Sequence, residues 1–321
     1  MINLNEVLAG VHTAAIAGHV RPDGDCVGSC LGLYNYIREN YPDIVVHVYM
    51  EEFPETFSFL SGAQEVRHSI VEENLQYDVF FILDSGDEDR IGVAGSLYKQ
   101  ASKTVCIDHH ISNQGYADQN YIVPGASSTS ELIFELCNEA DISKKTAEAI
   151  YTGMVHDTGV FKFSNTSERT LQIAGKLISR GIPFSQIIEE TFEQKTYVQN
   201  QILGRALLES ILFMDGKCIF SVVREKDMRF YNVTSKDLSG IVNQLMITKG
   251  VECAIFMYET APAQYKVSLR STERVDVSKV ACYFGGGGHK KAAGCMMHGT
   301  VQDVINNLSR HIERELNAKE A

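Results

Sequence analysis

The chain is 321 residues long, 44% hydrophobic and 22% charged, with a formal charge of −12 and no tryptophan. That length suits two domains, each with its own core, and the acidic balance excludes a protein that grips long nucleic acid through an extended basic face. No run approaches the roughly 18 apolar residues of a membrane helix, no export signal opens the chain, and the eight cysteines are scattered without a C-x-x-C pair, so reduced thiols and a cytoplasmic location are expected.

In chain order, residues 14–17 read as a strand, 27–39 as an amphipathic helix, 44–49, 79–83 and 104–107 as strands, and 130–139 as a helix. This is the rhythm of a parallel α/β sheet. The run Val79-Phe80-Phe81-Ile82-Leu83 shows no polar alternation, as a central strand covered on both faces requires, and it stops at Asp84. Helical patterns fill 144–209, with Gly181-Ile182-Pro183 separating 169–180 from 185–193. Beyond them, 211–214 and 218–223 flank the hairpin signal Asp215-Gly216, and 251–258 and 265–270 read as strands around a helix near 237–248. The expected fold is α/β: a metal-binding catalytic domain over 1–195, with a parallel sheet flanked by helices and linker helices from about 184, and a smaller α+β domain over 196–321.

Four places carry residues of metal-ligand type. His19-Val20-Arg21-Pro22-Asp23-Gly24-Asp25 follows the first strand, and its Gly- and Pro-containing turn lets an imidazole and two carboxylates converge. The alternative there is that Asp25 caps the helix opening near Cys26 while Asp23 solvates a turn. Asp84 and Asp108-His109-His110 each end an apolar strand, and the carboxyl ends of strands are where sites form in open α/β sheets. Asp157 falls where the helix from Lys144 should end, a placement that opposes the helix dipole and that a nearby cation would explain. Two imidazoles and four carboxylates exceed one zinc tetrahedron and suit two oxygen-rich ions sharing a carboxylate, with Mn2+ favoured over Mg2+ by the histidines. Such a pair suits hydrolysis of phosphate esters.

Downstream, Gly285-Gly286-Gly287-Gly288 is followed by His289, Lys290 and Lys291, and Ser268-Leu269-Arg270-Ser271 lies nearby in sequence. Glycine amides and adjacent cations favour a phosphate site over a flexible loop. Ser127-Ser128-Thr129 reads first as a helix N-cap, and His156 as a core or supporting histidine.

These residues resemble the DHH phosphoesterase family: His19 with Asp23 and Asp25, Asp84 in Leu83-Asp84-Ser85, Asp108-His109-His110 and Asp157 match its four ordered motifs, and Arg270-Ser271 with 285–289 look like the DHH-associated domain. The resemblance spans nearly the whole chain and is similar to the oligoribonuclease and pAp phosphatase branch, with relatives acting on cyclic di-AMP or pApA. It implies one Mn2+ held by His19, Asp23 and Asp84 and a second held by Asp25, Asp84, His109 and Asp157, with Mg2+ or Co2+ as substitutes. Asp108 would orient His109, His110 would contact the scissile phosphate, and Arg270, Ser271, Gly286, Gly287, Gly288 and His289 would bind substrate. The implied substrates are short RNA, pApA, pGpG or pAp, cleaved to 5′-mononucleotides in a cleft between the domains, and the resemblance admits a homodimer. Rival readings are a cyclic di-AMP phosphodiesterase, a pyrophosphatase, a processive exonuclease and a non-catalytic nucleotide sensor.

Overall fold

A computed structural model of the chain describes residues 2–70 and 75–317 and divides them into two compact units, Met1–Gln194 and Lys195–Ala321. In the first, strands β1 (Thr13–Ala17), β2 (Val45–Tyr49), β3 (Val79–Leu83), β4 (Thr104–Asp108) and β5 (Gln119–Ile122) form one sheet in the order β2-β1-β3-β4-β5, every pair parallel. The polarity-free run 79–83 is its centre. Phe81 and Leu83 enter one core with Ile16 and the helices, while Phe80 and Ile82 enter the opposite core with Tyr49, Tyr77 and Tyr98. Because the order reverses between β1 and β3, the crevice for a ligand lies at the carboxyl ends of those strands.

Helices α1 (Leu4–Leu8), α2 (Gly24–Asn40), α3 (Gly95–Tyr98), α4 (Thr129–Leu136), α5 (Lys144–Asp157), α6 (Glu168–Ile178) and α7 (Phe184–Ile188) complete this unit. Helices α2 and α5 approach closely and run antiparallel, with Gly24 beside His156 and Gly28 beside Gly153. A Cβ at Gly28 would fall 2.6 Å from both the Ala149 carbonyl oxygen and the Gly153 nitrogen, so only glycine lets the helices come this close. The contact sets the first turn of α2 next to the last turn of α5.

The second unit holds α8 (Tyr197–Leu208), α9 (Glu225–Tyr231), α10 (Ile241–Met246), α11 (Val277–Tyr283) and α12 (Val301–Asn317) around strands β6 (Ile211–Phe213), β7 (Cys218–Val223), β8 (Cys253–Ala261), β9 (Gln264–Ser271), β10 (Gly287–His289) and β11 (Ala292–His298). The sheet order is β10-β11-β9-β8-β7-β6, antiparallel except for β7 beside β8. Separate cores fill its two faces: Val267, Leu269 and Leu308 on one, Ile202, Phe256 and Leu245 on the other. Among the described residues, no helix is long and apolar enough to cross a membrane.

Candidate metal centre

The loop after β1 is fixed by its backbone. His19 pairs with Ile91 in an isolated bridge, and the Val20 N–H donates to the Arg90 carbonyl at 2.8 Å. His19 Nδ1 then lies 2.8 Å from the Val20 carbonyl, and because a carbonyl only accepts, Nδ1 carries a proton, so that loss of the second proton would free the Nε2 lone pair for a cation. Asp23 rather than Asp25 caps α2: its Oδ1 accepts the Asp25 and Cys26 amides at 3.1 Å each, so the alternative reading of Asp25 as the cap is corrected. Asp25 is buried and accepts the Thr129 amide at 2.6 Å and the Ser130 amide at 2.9 Å, the first two of α4, whose N-cap is Ser128.

Asp84 stands at φ 56°, in the left-handed region, immediately after β3. A non-glycine residue is held there at a cost, and such positions cluster at functional sites. Its two carboxylate oxygens face different partners: Oδ2 lies 3.5 Å from His19 Nε2, whereas Oδ1 lies 3.6 Å from His109 Nε2 and accepts the Thr129 hydroxyl at 3.1 Å. His109 Nε2 is also 3.7 Å from Asp157 Oδ2 and 3.9 Å from Asp25 Oδ2, while its Nδ1 faces the Ala126 carbonyl at 3.4 Å. Asp157 ends α5 as expected, and Asn165 Nδ2 holds its Oδ2 at 3.2 Å while also reaching the Ser127 carbonyl at 2.8 Å.

Three overlapping groups result among the described residues, His19 with Asp23 and Asp84, Asp25 with His109 and Asp157, and Asp84 with His109 and His110, each with ligand atoms within 4.8 Å of one another. Metal–ligand bonds of about 2.1 Å place neighbouring donors about 3 Å apart and opposite donors about 4 Å apart, so these spacings fit donors converging on ions. The charges argue the same way. Burial, then Asp84 and Asp157, push the Asp25 carboxyl well up, and burial with Asp84 and Asp23 pushes Asp157 up to about 6 despite His109. Burial opposes a charge on His19, yet Asp23 and Asp84 outweigh it and raise the imidazole to about 11. Every ion pair these carboxylates make among the described residues is with an imidazole, so the cluster must hold protons or cations.

Asp108 is oriented differently from the expectation. Its Oδ1 accepts the His109 amide at 2.8 Å and lies 2.7 Å from His110 Nδ1, while Asn113 donates to Oδ2 at 2.7 Å. Asp108 therefore orients the His110 ring; the His109 ring is set by Ala126, which corrects the expected role. Burial would raise the Asp108 carboxyl, but His110 and Asn113 hold it below the usual range. In return Asp108 raises His110 to about 8, against burial. The His110 Nδ1 proton is committed to Asp108, so that nitrogen cannot ligate even though it lies 3.6 Å from Asp84.

In the second unit, Arg270 on β9 donates from Nε to Asn243 at 3.0 Å. Ser271 is buried and its hydroxyl donates to the Val275 carbonyl at 2.7 Å, so it braces a turn. The second half of the glycine run is an edge strand rather than a loop: β10 pairs with β11, and a Cβ at Gly286 or Gly288 would collide with β11. Gly287 has open space beside it. Lys290 and Lys291 both pair with Glu273, so the basic patch read from sequence is partly neutralised. The side chain of His289 lies outside the described part of the structure. Ser130, Asn113 and Asn165 escaped the sequence reading, and Thr129 was read there only as part of a helix N-cap; the one signal for Ser130 was the run of polar residues, Ser127 to Ser130, placed directly before an apolar helix.

The DHH family N-terminal domain matches residues 13–154 and the DHHA1 domain residues 215–318. The bifunctional oligoribonuclease and PAP phosphatase NrnA of Bacillus subtilis (strain 168) is 30% identical over 292 residues, 89% of this chain and 90% of that protein. The probable bifunctional oligoribonuclease and PAP phosphatase NrnA of Streptococcus mutans is 27% identical over 300 residues, 92% of this chain and 94% of that one. Among solved structures, an exopolyphosphatase-related protein from Bacteroides fragilis aligns with a TM-score of 0.89 at 26% identity, over 99% of this chain and 96% of that one. Fold, carboxylate–imidazole cluster and relatives together define a metal-dependent phosphoesterase. The chain belongs to the DHH family, with a DHH domain followed by a DHHA1 domain.

Proposed function

We propose that the protein hydrolyses short oligoribonucleotides, linear dinucleotides such as pApA and pGpG, and pAp to 5′-mononucleotides, using two Mn2+ ions in the cytoplasm. The observation that carries the two-ion reading is the carboxylate of Asp84, one oxygen toward His19 and the other toward His109. His19, Asp23 and Asp84 would hold one ion, and Asp25, Asp84, His109 and Asp157 the other. Divalent ions there supply Lewis acidity toward a water nucleophile and a phosphoryl oxygen. His110, kept cationic near neutrality by Asp108, donates a hydrogen bond from Nε2 to a phosphate oxygen and stabilises charge as the ester bond breaks. Arg270, the backbone of Gly286, Gly287 and Gly288, and His289 bind the remainder of the nucleotide. The names of the relatives support this substrate class, and free cysteines throughout the described residues support the compartment.

The test is a panel of pAp, pApA, pGpG, di- to pentaribonucleotides and cyclic di-AMP, incubated with Mn2+ or Mg2+ and resolved by chromatography. Release of 5′-mononucleotides from the linear substrates is expected, faster with Mn2+ because His19 and His109 are nitrogen ligands. Turnover of cyclic di-AMP alone, or of none of the panel, would reject the proposal.

A further inference from the structure

No atom of His156 belongs to the metal-type groups among the described residues, although the residue directly precedes Asp157. Its imidazole instead lies against the backbone of Gly24: a Cβ added there would fall 2.3 Å from the ring Cγ and 2.8 Å from Cδ2. Gly24 is the single residue between Asp23 and Asp25, so the ring presses on the backbone from which both carboxylates project. The ring is itself held on three sides. Phe57 meets it edge-to-face with centroids 4.9 Å apart, Phe192 does so at 5.6 Å, and Nε2 lies 2.9 Å from the Thr191 hydroxyl. That hydroxyl donates its proton to the Ile187 carbonyl at 2.7 Å, so it must accept from His156, which fixes the proton on Nε2. Thr191 belongs to a wide helical turn, Glu189–Glu193, and turns of that kind recur at functional sites.

We propose that His156 is a positioning residue for the metal centre: wedged between Gly24 and Thr191, its ring fixes the Asp23-Gly24-Asp25 backbone and so sets a carboxylate in each ion site. The inference rests on the two-ion reading. Groups that orient ligands in this indirect way change metal affinity by about tenfold to a hundredfold, and an error in carboxylate placement disturbs chemistry more than substrate binding.

The experiment titrates metal-free wild type, His156→Ala, His156→Gln, Thr191→Val and the His156→Ala/Thr191→Val pair with Mn2+ by calorimetry, with thermal unfolding measured in EDTA. His156→Ala should bind Mn2+ about tenfold to a hundredfold more weakly, with the KM for pAp unchanged at saturating Mn2+. His156→Gln, whose amide can still donate to Thr191, should recover most of that loss. Thr191→Val keeps the volume and removes the acceptor; it should weaken binding by a smaller factor and add nothing to His156→Ala. Wild-type Mn2+ affinity in Thr191→Val overturns the proposal even if His156→Ala does not fold. A lowered melting temperature with unchanged affinity also overturns it, because a merely structural histidine behaves that way. Failure of the wild type to bind Mn2+ would overturn the metal-centre reading, and this inference with it.

Discussion

Asp84 concentrates the chemistry in one side chain, and its backbone dictates how it should be tested. At φ 56° an alanine would add the strain of a left-handed residue to the loss of the carboxylate, whereas asparagine tolerates that region and keeps the volume. Asp84→Asn should therefore fold with a melting temperature near wild type and lose turnover by at least about a hundredfold, since the neutral amide keeps an oxygen for only one of the two ion groups and no longer carries the bridging charge; activity within tenfold of wild type would show that Asp84 does not bridge. Proton competition gives a second outcome at this scale. Without metal, His19 keeps its proton up to about pH 11 and Asp157 keeps one up to about pH 6. Binding an ion displaces these protons, so affinity rises with pH, by about tenfold per unit for each proton released. Between pH 6 and 8 the Kd for Mn2+ should fall by about a hundredfold on account of His19 alone, with a further proton released below pH 6. Calorimetry in two buffers of different protonation enthalpy counts those protons, and a Kd flat across that range contradicts the assigned ligand.

Among the elements, the α2–α5 crossing leaves little tolerance. Gly28→Ala sets a methyl group 2.6 Å from backbone atoms of α5, which can yield only if the helices separate. Overpacking of this kind costs about 1 to 3 kcal/mol, and it shifts Asp25 relative to Asp157, so both the melting temperature and Mn2+ affinity should drop. Gly175→Ala in α6 is the matched control: the added methyl meets nothing within 4 Å, and helix propensity should stabilise the chain by up to about 1 kcal/mol. A Gly28→Ala variant as stable as Gly175→Ala would refute the packing argument. This crossing also marks the limit of what was legible in the sequence. The strands read at 79–83 and 104–107 announced themselves by short, mostly apolar runs, and most of the ligands by falling at strand ends. The β10–β11 hairpin did not, because Gly286 and Gly288 are demanded by a partner strand and carry no periodicity of their own. The predicted helix near 237–248 is split by Gly240 at φ 83°. Val160 and Phe161 follow Gly159 into the left-handed region at φ 58° and 60°, which no local propensity for a β-branched residue suggests. Asn113 and Asn165, which hold Asp108 and Asp157, carry no spacing signal; their importance is visible only once distant segments meet.

Across the whole molecule, the residues proposed for chemistry and those proposed for recognition separate along the sequence. All six proposed metal ligands belong to the unit ending at Gln194, whereas His289 and the glycine strand belong to the unit from Lys195 onward. A net charge of −12 leaves little nonspecific attraction for a polyanion, so a short substrate must be recognised by particular groups, and the DHHA1 unit is the proposed source of them. His289→Ala should therefore raise KM for pAp and short oligoribonucleotides several-fold or more while leaving turnover of bis-p-nitrophenyl phosphate nearly intact, because that small activated ester has no remote part for the second unit to bind. Gly287→Ala is the companion variant: open space surrounds the added methyl, so folding is spared, and the side chain obstructs only what approaches the strand from outside. If remote binding also aligns the scissile phosphate, kcat on the nucleotide falls together with the rise in KM, and the deciding quantity is the ratio of kcat/KM between the two substrates. A selective loss on nucleotides assigns recognition to the second unit. Equal loss on both substrates would place His289 in the catalytic centre or the fold, and the division of labour between the two units would be wrong.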